Sequence, residues 1–360
     1  MSASSTAVVS SRASVIVAMP AQGVGSDAAT TGDLVAVLRD VSMLTRPRIA
    51  VMVLATVITA MWLTAGGSLD VVHLVWLLIG TMLVVASSSI ANQVVERDTD
   101  KLMPRTAHRP IASGRMAVGT ASGLAAFLLV AGVGLMTIAS GWPAAAAALA
   151  TWLLYVVVYT PMKKISPLNT AVGAVAGALP VAIGWLAADG PGRLAGGDAT
   201  GALSAAALAT VLYLWQFPHF MAIAWIYRSQ YGLAGLRMLT VDDPSGLRAA
   251  GQALAAALAM VPVSLVLAVP SGSIRLFLTA AIAAIVYCCA TIRFALRRDD
   301  TSARGLLLTS LGVLLALLTA SVVCGAPRSH QVSRATVFAQ ATAAHSTDLP
   351  RMQRIQKNHD

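Results

Sequence analysis

The sequence predicts an all-α, polytopic membrane protein with about nine transmembrane helices in one bundle. Three observations lead there. Of its 360 residues, 57% are hydrophobic and only 11% charged, far too apolar for a soluble domain of this length. Apolar runs approaching the ~20 residues needed to cross ~30 Å of hydrocarbon recur along the chain. Lys and Arg fall mainly in the gaps between those runs, the pattern by which a chain orients itself in a bilayer. The formal net charge of +10 is distributed in that way, which argues against nucleic acid as a partner.

The elements follow in order. Residues 1–40 are rich in Ala, Ser, Val and Gly, carry few charges and lack an apolar core long enough for a signal peptide, so they read as a disordered cytoplasmic tail. The apolar runs are Ile49–Ala65, Val71–Val95, Ala117–Ser140, Ala144–Tyr159, Thr170–Ala188, Leu203–Trp225, Ala250–Val269, Ile274–Ile292 and Leu306–Val323. Together they define a transmembrane domain over residues 41–325. Residues 326–360 are polar and read as a second disordered tail.

Charge sets the orientation. Arg39, Arg46 and Arg48 precede the first run; Arg97, Lys101, Arg105, Arg109 and Arg115 follow the second. Lys163, Lys164, Arg228, Arg237, Arg248, Arg293, Arg297, Arg298 and Arg304 fall on the same side, whereas the opposite loops hold Arg193 and Arg275. The basic side is expected to be cytoplasmic, and an odd number of spans puts the C-terminus outside. Arg328, Arg334, Arg351, Arg354 and Lys357 in that last tail run against the rule. Cys288, Cys289 and Cys324 lie inside apolar runs without metal-ligand spacing.

Three segments on the basic side carry chemistry. Asn92, Glu96 and Asp100 are four residues apart at the end of the second run, so a continuing helix stacks them on one face. Arg105 and Arg109 repeat the spacing just downstream. Magnesium prefers carboxylate and phosphate oxygens and rarely sits in an all-protein cage, and arginine clamps phosphate bidentately. The set therefore suits a metal-bound polyphosphate, with Asn92, Glu96 and Asp100 as metal ligands. The plainer alternative is a solvated loop whose arginines only satisfy the charge rule, but acids at membrane depth are costly. Asp98 lies off the shared face.

The second segment runs from Tyr159 to Asn169, where Pro161 and Pro167 bracket Lys163 and Lys164. It could present an ammonium to a phosphate, or merely anchor a short loop. Gly173 and Gly177 form a small-residue packing face, and Pro180 can kink the same helix. The third is Trp215-Gln216-Phe217-Pro218-His219-Phe220, followed by Tyr231 and Arg237. Pro218 frees a carbonyl on the preceding turn. His219 could bind heme iron, hydrogen-bond an anionic group, move a proton, or hold the kink through an interhelical hydrogen bond.

In this order the three segments resemble the UbiA superfamily of intramembrane prenyltransferases, which carries an Asn-x3-Asp-x3-Asp motif at the end of its second helix. The finer resemblance is to its heme branch, the protoheme IX farnesyltransferases. It rests on Thr45-Arg46-Pro47-Arg48, on Asn92 to Asp100 with Met103, Arg105-Thr106 and Arg109-Pro110, on Tyr159-Thr160-Pro161 with Lys163-Lys164 and Asn169, on Gly177-Ala178, Pro180 and Gly184-Trp185, and on Trp215 to Phe220. It covers about Thr45 to Leu239; the later helices match by hydropathy alone.

The resemblance implies a nine-helix UbiA-type bundle and transfer of a farnesyl group from farnesyl diphosphate to a vinyl group of protoheme IX. It implies Mg2+ as cofactor and membrane lipid as surroundings, with heme A synthase or terminal-oxidase assembly as downstream partners. It also implies catalytic roles for Asn92, Glu96, Asp100, Arg105 and Arg109, and substrate binding by Lys163, Lys164, Asn169, Trp215, Gln216, His219 and Tyr231. Two positions depart from the pattern. Glu96 replaces the usual Asp, and Gln230 precedes Tyr231 where the family has Asp, which weakens the second acidic site unless Asp242 or Asp243 compensates. A prenyltransferase for a quinone or chlorophyll precursor is the alternative within the class, against which the Trp215–Phe220 segment argues. A membrane transporter is the alternative outside it, but no internal repeat is evident and the charges cluster at one interface.

Overall fold

The computed structural model describes residues 31–326. By internal contact the chain divides into residues 1–39 and residues 40–360. Helix α1 (Thr31–Thr45) opens the described part, so the last ten residues of the segment expected to be a tail are helical. The second expected tail, with His330, His345 and His359, lies outside the described residues beyond Ala326.

Among the described residues nine helices are long and apolar enough to cross a membrane: α2 (Pro47–Thr64), α3 (Val71–Asp100), α4 (Val118–Ser140), α5 (Trp142–Met162), α6 (Asn169–Ala187), α7 (Thr200–Ile226), α8 (Leu247–Val266), α9 (Ile274–Arg297) and α10 (Asp300–Cys324). The chain is thus a multi-pass membrane protein, and its regular elements among the described residues are helices. Local signals set several ends. The Asp70 carboxylate accepts from the Val72 and His73 amides to cap α3, and Asp299 and Ser302 form a reciprocal capping box at α10. Several spans are longer than their apolar runs predict. α3 continues through the polar residues to Asp100, and α10 starts at Asp300, because capped, internally bonded turns extend a helix past the hydrocarbon.

α7 lies at the centre and packs against α2, α6, α8 and α10. Around it α3–α4–α5–α6 and α8–α9–α10 follow in sequence, and α2 closes the ring by touching both α3 and α10. Small residues permit the closest crossings. A Cβ on Gly184 would come within 2.4 Å of the Val57 carbonyl oxygen, so α6 and α2 meet backbone to backbone. One on Gly132 would lie 2.9 Å from the Gly80 carbonyl oxygen, which joins α4 to α3 in the same way. Polar groups lace the remainder. Trp152 donates to Ser87 Oγ, which donates to the Ala125 carbonyl, linking α5, α3 and α4.

Two irregularities shape the interior. Residues Leu154–Tyr159 of α5 form a π-helical turn, and Thr160 Oγ1 donates to the Tyr155 carbonyl five residues back. Tyr155 and Tyr159 then stand side by side, with ring centroids 5.4 Å apart. Such single wide turns are common at functional sites. Pro218 sits within α7, and Tyr287 of α9 donates to the Trp215 carbonyl at 2.6 Å on the turn before it.

Candidate active site

The acid motif lies where α3 leaves the bundle, and the helix does continue to Asp100. Asn92 and Asp100 are almost wholly buried. Glu96 accepts from Lys163 Nζ at 2.7 Å and lies 3.9 Å from Arg109. Asp100 Oδ2 accepts from Arg109 at 2.7 Å. The loop after α3 folds back to make that pair: Thr106 Oγ1 donates to the Asp100 carbonyl, and Arg109 follows one turn later. Arg105 lies over the Tyr227 ring, 4.8 Å from its centroid, and Lys163 over the Tyr159 ring at 4.5 Å. Cations on aromatic faces gain from the ring quadrupole.

These side chains line one polar cavity of about 120 Å³: Arg46, Glu96, Asp100, Arg105, Arg109 and Lys163, with Tyr159 and Tyr231 among its walls. Four cations face two carboxylates, so the cavity is net cationic and suits a polyanion. Burial lowers the Lys163 pKa, but the Glu96 carboxylate outweighs it and holds the ammonium above the ordinary lysine range. Burial, with Arg46 nearby, pulls the Arg109 pKa down against Asp100 and Glu96. Burial pushes the Tyr231 phenol up.

Tyr159 also lines a second, larger cavity of about 410 Å³ inside the bundle. Its walls are mostly apolar: Ile49, Val53, Val84, Val85, Ile183 and Phe220 are typical, while Gln216 and His219 from α7 add polar groups. Concave apolar space with few convergent polar groups is the usual form of a small-molecule site.

Of the residues expected from sequence, Asn92, Asn169, Lys164 and Trp215 lie away from both cavities, while Gln216 lines the chamber and is held by backbone carbonyls. Asn92 donates to Thr160 Oγ1 and so ties α3 to α5. Asn169 donates to the carbonyls of Ser166 and Arg237, which holds two loops together. Lys164 is exposed and lines a separate hollow beside Glu96 and Thr99. Trp215 is buried, donating to the Ser310 carbonyl at 2.7 Å and stacking on His219 at 4.7 Å. Gln216 bonds to the Ala174 and Leu212 carbonyls.

The acids downstream of Gln230 have other work. Asp242 pairs with Arg237 at 3.1 Å. Asp243 accepts from Ser245 and from the Arg248 amide at the start of α8, contacts that hold its carboxyl below the usual range. Neither lines the polar cavity.

Two wall residues escaped the sequence reading of the site. Arg46 stood in a basic run before the first span and in the Thr45–Arg48 segment of the family resemblance, but not among the expected site residues. It has left-handed backbone (φ 49°), uncommon for a residue other than glycine, and its Nη2 is buried without a hydrogen-bond partner. Its signal was the Arg-Pro junction that starts α2. Tyr159, shared by both cavities, stood in the Tyr159-Thr160-Pro161 segment of the resemblance but not among the expected site residues.

A hard divalent cation fits the donor set. Asn92 Oδ1 and Asp100 Oδ1 are buried with no hydrogen-bond partner, and with Glu96 they form an all-oxygen row on one helix face. No group of three His, Cys, Asp or Glu side chains gathers among the described residues, so oxygens from a ligand or water would complete the shell.

Fold and site together define an intramembrane transferase with a polar pocket beside an apolar chamber. The UbiA prenyltransferase family matches residues 53–318, and the chain belongs to that family. It is 41% identical over 283 residues to the protoheme IX farnesyltransferase of Rhodopirellula baltica, covering 76% of this chain and 96% of the relative. It is 37% identical over 298 residues to that of Solibacter usitatus, covering 76% and 94%. Among solved structures, the fold is similar to a UbiA homologue from Archaeoglobus fulgidus bound to DMAPP and Mg2+ (TM-score 0.55, 16% identity, covering 79% of this chain and 99% of that one). It is likewise similar to a digeranylgeranylglyceryl phosphate synthase (TM-score 0.64, 16% identity, covering 80% and 98%).

Proposed function

We propose that this protein transfers the farnesyl group of farnesyl diphosphate to a vinyl group of protoheme IX, giving heme O and diphosphate. One observation carries the reading: a net-cationic pocket with two carboxylates shares a wall, Tyr159, with an apolar chamber inside the bundle. Both substrates are amphipathic, with an apolar body and an anionic end, and match that division. The identity to protoheme IX farnesyltransferases supports heme as acceptor over a quinone precursor.

Cleavage of the allylic C–O bond sends its electron pair to the diphosphate. Arg46, Arg105, Arg109 and Lys163 are assigned to hold that growing charge, positioned in advance, with Arg109 and Lys163 largely shielded from water. Asn92, Glu96 and Asp100 would hold Mg2+, which when bound neutralises diphosphate oxygens. The chamber walls keep water from the allylic cation until the vinyl carbon attacks, and water then completes the hydroxyalkyl product. Tyr231 is assigned to the pocket wall, Gln216 and His219 to the acceptor, and Trp215 to the support of His219. Asn169 and Lys164 act from outside, the first by holding the loops. The basic loops are proposed to face the cytoplasm, and a heme A synthase or a terminal oxidase to consume the product.

The test is expression in cells lacking heme O synthesis, with extracted hemes resolved by chromatography and mass detection. Heme O is expected from the wild-type chain and none from Asp100→Ala. A well-expressed wild-type chain that yields no heme O would overturn the acceptor.

A further inference from the structure

His219 has two ring nitrogens, and only one is occupied. Nδ1 lies 2.7 Å from Ser310 Oγ on α10. The Ser310 hydroxyl has a single proton, and it is directed at the Leu307 carbonyl, 2.6 Å away. A carbonyl only accepts, so the serine oxygen is left to accept from histidine. Both contacts are satisfied together only when Nδ1 carries the ring proton. Nε2 is then the bare lone pair, and it has no hydrogen-bond partner among the described residues while the ring lines the apolar chamber. Trp215 fixes the plane. It stacks on the imidazole at 4.7 Å with 25° between the rings, and its indole N–H donates to the Ser310 carbonyl. Ser310 is itself fully buried.

We infer that Ser310 is a positioning residue that sets the His219 tautomer, so that Nε2 is presented to the chamber as a ligand for the iron of the acceptor porphyrin. The inference rests on the reading of protoheme IX as acceptor. Iron prefers neutral imidazole, and an outer partner on the second nitrogen both orients the ring and raises its basicity. Coordination from one side would anchor the macrocycle while its vinyl edge is brought to the farnesyl carbon. No covalent bond of the porphyrin changes in this step.

The experiment titrates protoheme into the purified full chain in lipid nanodiscs and records optical and resonance Raman spectra. Wild type is expected to show an iron–imidazole signature that His219→Ala lacks and that added imidazole restores to that variant. Ser310→Ala is expected to weaken heme binding roughly 10–100-fold, the usual effect of removing an outer partner, with a shifted iron–imidazole frequency. Ser310→Thr keeps the hydroxyl and is expected to retain the wild-type frequency. A Ser310→Ala protein with wild-type affinity and frequency would overturn the inference. So would an Nε2–H tautomer in the nitrogen NMR spectrum of ring-labelled wild type, assigned against His219→Ala, and that measurement needs no change at Ser310. Heme O formed by a wild-type protein lacking the imidazole signature would refute this inference and leave the proposed function standing. Absence of both heme O and heme binding would refute both.

Discussion

Replacing Arg109 by Met tests the polar cavity most directly. Asp100 is 1% exposed at its side chain and Arg109 14%, with 2.7 Å between charged atoms. At an effective dielectric near 20, two unit charges ~4 Å apart interact by about 4 kcal/mol. Removing one partner of a buried pair costs about 3–5 kcal/mol, because the other charge stays buried and uncompensated. Glu96 loses a weaker contact at 3.9 Å but keeps Lys163. Arg109→Met is therefore expected to destabilise the folded chain by about 3 kcal/mol. Asp100→Asn leaves the guanidinium a neutral acceptor and should cost about 2 kcal/mol. The double variant removes both charges, so its loss should fall short of the sum by at least about 1.5 kcal/mol, within the range found for contacting residues. Unfolding by denaturing detergent in mixed micelles, followed by tryptophan fluorescence, measures all four corners of the cycle. A double variant whose loss equals the sum of the singles would show that Asp100 and Arg109 are not coupled and would refute this account of the site.

Three further outcomes follow from the same geometry. Gly184→Ala forces a Cβ to within 2.4 Å of the Val57 carbonyl oxygen, which only backbone movement relieves. It is expected to cost about 3 kcal/mol, at the upper end for overpacking, in the same unfolding assay, whereas Gly134→Ala, with open space around it, should be near neutral. The net-cationic pocket should repel a lone divalent cation, so Mn2+ binding followed by paramagnetic resonance is expected to be at least ~10-fold tighter with a non-hydrolysable farnesyl diphosphate analogue than without, a coupling of about 1.4 kcal/mol. Asp243→Ala should lower thermal stability at neutral pH. The Asp243 carboxyl is held below its ordinary value of 3.8, so its contribution is complete above that pH and is lost as pH falls through the lower folded value. The gap between variant and wild type should therefore close only in strong acid.

Much of the architecture was legible in the chain. Nine apolar runs became nine spans, and the four-residue spacing of Asn92, Glu96 and Asp100 became one helix face, because bilayer thickness and helix pitch act on local sequence alone. Local pattern also named the cations. It could not say which carboxylate each one meets. Lys163 reaches Glu96 across 67 positions, and Arg109 finds Asp100 only because the loop doubles back. Asn169 stood as a binding residue by resemblance, and its amide ties two loops together, a contact that spacing along the chain does not show. Asp242 and Asp243 looked available and are bound to Arg237, Ser245 and Arg248.

Composition and periodicity by themselves determined that this is a multi-pass helical membrane bundle. The family motifs are local too, so the class of reaction could be read from the linear chain. Tertiary structure alone decided the shape of the chamber, the place of Tyr159 between chamber and pocket, the buried vacant guanidinium nitrogen of Arg46, and the tie from His219 to Ser310. Each depends on which helices become neighbours and how closely they approach. That is set by side-chain packing between distant segments, about which spacing along the chain carries no information.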